Sequence, residues 1–371
     1  MKKFQISAAM CMLTLAFALV SCGKKEAAKS LPTIVLTDTE EWTDGVDLQS
    51  NRILLQFESG NEQAIFTYIN KVLVIDGYRF VLDGRVGKVI VYRQSGEFVR
   101  TFGALGAGPG ELTNMTDLLF DGQHLLLMGS HKMVIYTKDG EWIRDETLPP
   151  FPHTYPLENH WIQYGDHIPN VVSQHYNLLT FAKSDTSLVD SASLRRATLE
   201  LIRMPNGGYF SPFDHHVYVL PSHDTLIYAV DAVGEIAPAY RIQYPADHWE
   251  GMDKFITEFE DMGQMMENPL GPSYLLAVRS LQVNSKYIFF TWMGPKGLYL
   301  VRFDKANELT HMYPLFKLFK NEQVRVNALV GAEGDMGLFT LEGITPEFME
   351  EEFGVQIGDD FNPFILGLKF P

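Results

Sequence analysis

Residues 88–100, KVIVYRQSGEFVR, and residues 132–144, KMVIYTKDGEWIR, are two copies of one β-hairpin, and a chain that repeats a hairpin along its length has few folds open to it. At an offset of 44 the Lys, Tyr, Gly, Glu and Arg coincide, and the other apolar positions stay apolar. Each copy is a β-branched run, a four-residue turn and a second alternating run. Gly96 and Gly140 supply the left-handed backbone that such a turn needs, because a residue without Cβ adopts it at little cost. The frame returns at Phe181–Asp185 and at Phe303–Glu308, where Asp185 and Asn307 stand at the glycine position, and with two extra residues at Tyr228–Gly234. Asp and Asn tolerate that backbone region better than other residues. Hairpins of one design at such spacings point to radial repetition and away from a single sandwich.

A second pair of strands precedes each hairpin. The pairs are Ala64–Ile69 with Val72–Asp76, Thr116–Phe120 with His124–Met128, Gly208–Pro212 with Val217–Leu220, and Leu275–Val283 with Tyr287–Trp292. Four strands make a propeller blade, and residues 31–371 at roughly 55 to 60 residues per blade hold six. The fold expected is all-β, a six-bladed β-propeller. Its last blade would use Met336–Leu341 and Phe364–Phe370, and would be completed by an N-terminal strand, either Ile53–Phe57 or Ile34–Asp38, which removes the open sheet edges. Two segments break the β pattern. Trp249–Glu267 spaces Phe255, Phe259, Met262 and Met266 helically, and Pro346–Phe353 reads as a short helix capped by Thr345.

The N-terminus predicts where the chain goes. Lys2 and Lys3 precede an uncharged apolar run, Ile6–Val20, which is short for a membrane span and has the layout of a secretory signal. Leu19-Val20-Ser21-Cys22 follows and resembles the lipobox of bacterial lipoproteins, which implies a diacylglyceryl thioether on Cys22. The organisation expected is therefore a signal peptide at 1–21, a lipidated tether at 22–30 and the propeller at 31–371. The protein would be held in the cell envelope, at the outer membrane, facing either the periplasm or the exterior. Only Cys11 and Cys22 are present, so the mature chain keeps no free thiol. The formal charge of −16 becomes −18 once Lys2 and Lys3 are removed, and no basic cluster is visible, which argues against nucleic acid as a partner.

The blade hairpin Val89–Tyr92 to Phe98–Phe102, the loop Gly103–Glu111, Asp224–Tyr228 and the tail Asp359–Pro363 with its closing strand resemble the six-bladed β-propeller lipoproteins of gut anaerobes, similar in shape to NHL-repeat propellers. The resemblance implies a fold and a location, and brings no catalytic residues. Gly103, Gly106, Gly108 and Gly110 form no phosphate cradle, since Pro109 follows Gly108 and no helix pattern follows the loop.

In a four-stranded blade the loop between strands two and three emerges on the same face as the connections between blades. Those loops are expected to ring the funnel mouth, with Tyr78, Arg79, Asp83, Tyr155, Asp166, Asp224, Trp292 and Lys296 as ligand-binding candidates. Aromatic faces beside charged groups suit a glycan, a peptide or an envelope protein. No cofactor is expected. His131, His167 and His223, on three blades, are the residues that would hold zinc, with calcium as the other ion considered, in an alternative reading as a metal-assisted lyase or hydrolase of a polysaccharide or modified peptide.

Overall fold

A computed structural model of the chain describes residues 30–38, 50–149, 153–165, 175–194, 208–246, 248–258, 262–268, 278–321, 323–357 and 363–370. Within the unit Thr33–Pro371 they form six blades of antiparallel strands in a ring. Blade one is β3 (Lys71–Ile75), β4 (Tyr78–Asp83), β5 (Lys88–Arg93) and β6 (Phe98–Phe102), and blade two is β7 (Asp117–Phe120), β8 (Leu125–Met128), β9 (Lys132–Tyr136) and β10 (Trp142–Thr147). Blade three is β11 (His153–Pro156), β12 (His160–Tyr164), β13 (Tyr176–Ala182) and β14 (Leu188–Leu194), and blade four is β15 (Phe210–Phe213), β16 (His216–Val219), β17 (Leu226–Val230) and β18 (Ile236–Gln243). Blade five is β19 (Val278–Val283), β20 (Tyr287–Gly294), β21 (Gly297–Asp304) and β22 (Leu309–Pro314). Blade six is β23 (Arg325–Glu333), β24 (Met336–Glu342), β25 (Ile365–Lys369) and, from the N-terminal side, β2 (Arg52–Leu55).

The second and third strands of a blade are covered on both faces by neighbouring blades, so they read as unbroken apolar runs. Val89–Tyr92 in β5 and all of β8 are buried, whereas the outermost strand β10, WIRDET, is half-exposed. The ring closes through β2 on β25, with Leu55 and Ile365 in one core with Leu338 of blade six and Val81, Ile90 and Tyr92 of blade one. Of the two N-terminal segments, Ile53–Phe57 is thus the one that contributes the closing strand. The other forms β1 (Thr33–Val35), which adds parallel to the outer edge of blade four and buries Ile34 and Leu36 against blades four and five.

Blade one differs from its expected layout. Residues 62–64 are a single 3-10 turn and 65–70 are not a strand; the first two strands are β3 and β4, joined at Asp76-Gly77, where φ is +51° and +78°. That Asp-Gly is a two-residue hairpin turn of the mirror-image type that matches strand twist. Two hairpin turns are also shifted. The left-handed residues are Thr186 (φ +58°) and Glu308 (φ +55°), one past the expected Asp185 and Asn307. The aspartates serve the turns otherwise: Asp185 Oδ1 accepts from Ser187 N, and Asp304 Oδ1 from Ala306 N and Asn307 N. The helical segment after blade four divides into α1 (His248–Thr257) and α2 (Met262–Glu267), burying Met252, Phe255 and Met265; the side chains of Phe259, Met262 and Met266 lie outside the described residues. Helix α3 (Pro346–Phe353) is capped by Thr345 Oγ1, which accepts from Phe348 N at 3.2 Å. No helix among the described residues is long and apolar enough to cross a membrane.

The glycine-rich loop folds onto blade two. Asp145 accepts from Gly110 N, Trp142 Nε1 (2.8 Å) and Lys132 Nζ (3.0 Å), and Tyr136 donates to the Gly110 carbonyl. Burial alone would raise the Asp145 pKa. The bonds from Trp142, Lys132 and Gly110, with the Lys132 charge, outweigh it and hold the carboxyl below its ordinary range. A carboxyl held low when folded contributes stability that is complete above its unfolded value, about pH 4, and is lost as pH falls through the folded value. Asp145→Asn is therefore expected to lower the unfolding free energy at neutral pH by about 1–3 kcal/mol, and to cost progressively less below about pH 4. Thermal unfolding across that range checks it; a deficit undiminished at about pH 3 contradicts it.

Candidate functional site

The six first strands surround the axis, and their two ends differ. Where they turn back into the second strands, their final residues and the short turns at Asp121–His124 and Asp214-His215 line a cavity of about 1050 Å³. At the other end, beside the connections between blades, the cavity is about 80 Å³. Lys71, Phe210 and Gln282 line both and mark the waist. The narrow end is drawn in between blades four and five, where Leu281 N donates to the Gly208 carbonyl at 2.9 Å; on the wide side of the waist Val283 N donates to Ser211 Oγ at 2.8 Å. A bulge in β19 between Arg279 and Gln282, with Ser280 at φ +61°, accommodates that approach.

Leu73, Ile75, Phe120 and Phe213 give the wide funnel apolar walls, while the turns give it a charged rim. Lys71 Nζ donates to Asp117 Oδ1 at 2.7 Å at the waist. Asp121 Oδ1 accepts from the backbone N–H groups of Gln123 and His124, which fixes that turn. Asp214 (φ +50°) and His215 (φ +63°) form the rim of blade four, both exposed and both in a left-handed conformation that costs a residue with a Cβ about 1 kcal/mol or more. His216 follows as the first residue of β16, so the His215-His216 pair spans a turn and a strand start and does not alternate across one strand.

The residues expected at the mouth do not share one opening. Trp292 is 1 % exposed and stacks on Tyr299 at 5.1 Å in the core between blades four and five. Arg79 is buried on β4, where Nε and Nη2 donate to Glu333 Oε2 at 3.1 and 2.9 Å and lock blade one to blade six. Asp83, wholly buried, accepts five hydrogen bonds that hold residues 67–68 and 85–86. Asp224 accepts from Ser193 Oγ at 2.6 Å, tying blade three to blade four. Tyr78 opens β4 with the Arg93 guanidinium 5.9 Å from its ring. Lys296 is exposed on the opposite face, with Nζ 3.5 Å from Asp38 Oδ2. Of the candidates among the described residues, Tyr155 alone lines the wide funnel, and it is 4 % exposed; burial, then Asp117 and Asp121, push its phenol well above the ordinary range.

His131 is exposed on blade two and His223 is 2 % exposed on blade four; Asp166, His167 and Cys22 lie outside the described residues. Among the described residues no group of three or more His, Cys, Asp or Glu is placed to hold a metal ion. The residues that line the funnel, including Lys71, His124, Asp214 and His215, were missed. The usable signal was the turn dipeptides Asp76-Gly77 and Asp121-Gly122, which mark the face at which the first strands end.

The family model of a domain of unknown function, DUF4934, matches residues 55–337. No curated protein is similar enough to match the sequence. Among solved structures the chain is similar to a proposed exported protein of Bacteroides fragilis NCTC 9343, at 15% identity and a TM-score of 0.66, over 92% of this chain and 100% of that one. It is similar also to a DUF4221 family member from Bacteroides vulgatus ATCC 8482, at 10% identity and a TM-score of 0.45 over 87% and 99% of the two chains. A third is virginiamycin B lyase from Staphylococcus aureus, at 10% identity and a TM-score of 0.42 over 78% and 80%. The likeness to the Bacteroides fragilis protein shows a shared fold and nothing of its chemistry.

Proposed function

The chain belongs to the DUF4934 family, and on that premise we propose that it is a cell-envelope binding protein that holds its ligand in the wide axial funnel. The observation that carries this reading is the funnel itself. A cavity of about 1050 Å³ stands at the top of the range of small-molecule sites, about 300–1000 Å³, and joins apolar walls to a charged rim. A site of that size and character suits a glycan, a peptide or an exposed segment of an envelope protein.

Ala332 lines the funnel from β23 and is half-buried, so a larger side chain there fills the cavity without entering the core. Ala332→Trp is expected to weaken binding of a glycan-array or peptide-library hit by about tenfold or more, equivalent to about 1.4 kcal/mol, with the fold retained by circular dichroism. Unchanged affinity in a folded Ala332→Trp protein would remove the funnel as the site.

For location we infer a lipid anchor on Cys22 and residence in the outer membrane, supported by the apolar run Ile6–Val20 and the Leu19–Cys22 motif. Cys22→Ala is expected to move the protein from the membrane to the soluble fraction; its retention in the membrane would refute the anchor.

A further inference from the structure

The funnel is not radially symmetric. Arg144 and Glu146, on the outermost strand of blade two, and Lys183, in the turn after β13 of blade three, line the same cavity as Lys71 and Ala332 on the axis. The opening therefore continues outward from the axis as a cleft between blades two and three, closed beneath by the buried side chains of Leu126, Met133 and Ile135. A compact ligand would leave such a cleft empty, while a chain would fill it.

Which chain is decided by three features. The first is the aromatic faces. Sugars pack their C–H faces on open rings, yet the rings about this opening carry ammonium groups: Lys138 Nζ lies 5.4 Å from the Phe120 centroid, Lys183 Nζ 4.3 Å from that of Trp161, and Lys305 Nζ 4.5 Å from that of Phe213. Phe210 and Tyr155 are buried against each other. The second is the backbone. Each first strand ends its sheet, so one edge of alternating N–H and C=O groups faces the axis; at β19 the N–H groups of Leu281 and Val283 are already taken by blade four, and an extended peptide satisfies an edge of this kind elsewhere through its own main chain. The third is charge. The cleft carries both signs: Arg144 donates to Glu146 Oε1 at 2.9 and 2.7 Å, and Lys183 and Glu158 add one cation and one carboxylate.

We propose that the ligand is an extended peptide, seated with one end at the axial funnel and the rest leaving between blades two and three, where Arg144, Glu146, Glu158 and Lys183 meet its acidic and basic side chains. This rests on the reading of the funnel as the binding site. It is tested by selecting a phage-displayed dodecapeptide library and, in parallel, probing a glycan array with the full-length chain in detergent. Binders are then measured on wild type, Ala332→Trp at the axis, Arg144→Ala/Glu146→Ala in the cleft, and His131→Ala on the opposite face. Removing Arg144 and Glu146 together leaves neither charge unpaired. Peptides that lose about tenfold or more in affinity in both the axial and the cleft variants, and nothing in His131→Ala, are the expected result. Peptides weakened by Ala332→Trp alone would overturn the cleft path while leaving the funnel. Glycans as the sole binders, lost in Ala332→Trp, would overturn the peptide and leave the funnel. Binders indifferent to Ala332→Trp would overturn the funnel and this proposal together, and enrichment from neither library would overturn the peptide.

Discussion

Asp83→Ala is expected to be among the most destabilising single substitutions in this chain. The carboxylate is fully buried; Oδ2 accepts from Thr67 N (2.6 Å), Thr67 Oγ1 (3.1 Å) and Tyr68 N (3.1 Å), and Oδ1 from Arg85 N (3.0 Å) and Val86 N (3.2 Å). Alanine leaves these five donors without their acceptor; an unmet buried donor costs about 1–3 kcal/mol, and less here where water reaches the exposed residues Thr67, Tyr68, Arg85 and Val86. Because neighbouring losses are not additive, a net destabilisation of about 4 kcal/mol is expected, read as a lowered midpoint in urea or heat. Asp83→Asn separates shape from chemistry: it keeps one acceptor oxygen but turns an NH₂ toward N–H groups, so it should fall between wild type and Ala. An Asn variant as stable as wild type would contradict this account. The damage should also be local first, with faster amide exchange over residues 66–70, which lead from the closing strand β2 into blade one.

Trp292→Ala is the second large effect, and it concerns a residue whose chemistry invited another role. The side chain is 1 % exposed in the middle of β20, paired with Val278 on one side and Tyr299 on the other. Its indole N–H has no hydrogen-bond partner among the described residues, so its contribution is packing alone. Truncating a buried Trp to Ala costs about 3–5 kcal/mol through lost burial and the cavity left behind. Trp292→Phe should recover a large part of it. A loss of ligand affinity in Trp292→Ala would therefore report a damaged core; if the variant unfolds at the wild-type midpoint, the burial assigned to Trp292 is wrong.

The fold was legible because its middle strands must be apolar on both faces and its turns need special backbone. The hairpins at 88–100 and 132–144 appear as β5–β6 and β9–β10, with Gly96 and Gly140 at φ +90° and +80°. The closing strand was legible only as one of two N-terminal runs, Ile53–Phe57 and Ile34–Asp38, and pairing of Arg52–Leu55 with β25 decides between them. Blade one was misread because Asp76-Gly77 was placed at the edge of a loop, and that single slip moved Tyr78, Arg79 and Asp83 from a strand into a supposed mouth. The site was less legible. Whether an axial channel widens at one end or the other depends on how closely neighbouring first strands approach, as at Gly208 and Leu281, and those contacts join residues far apart in sequence. Charge was a poor guide too: Arg79, Asp83 and Asp224 look like surface groups in sequence, yet each ties one segment of the ring to another.

Ligand is expected in the wide funnel, on the face where the first strands turn back. Amide hydrogen exchange of the full-length chain, with and without the tightest peptide from the library selection, locates the bound ligand. Protection is expected over residues 71–75, 119–124, 210–216 and 332–334, with no change at 129–131, 221–225 and 295–297. Protection confined to the second set, on the opposite face, would contradict this expectation.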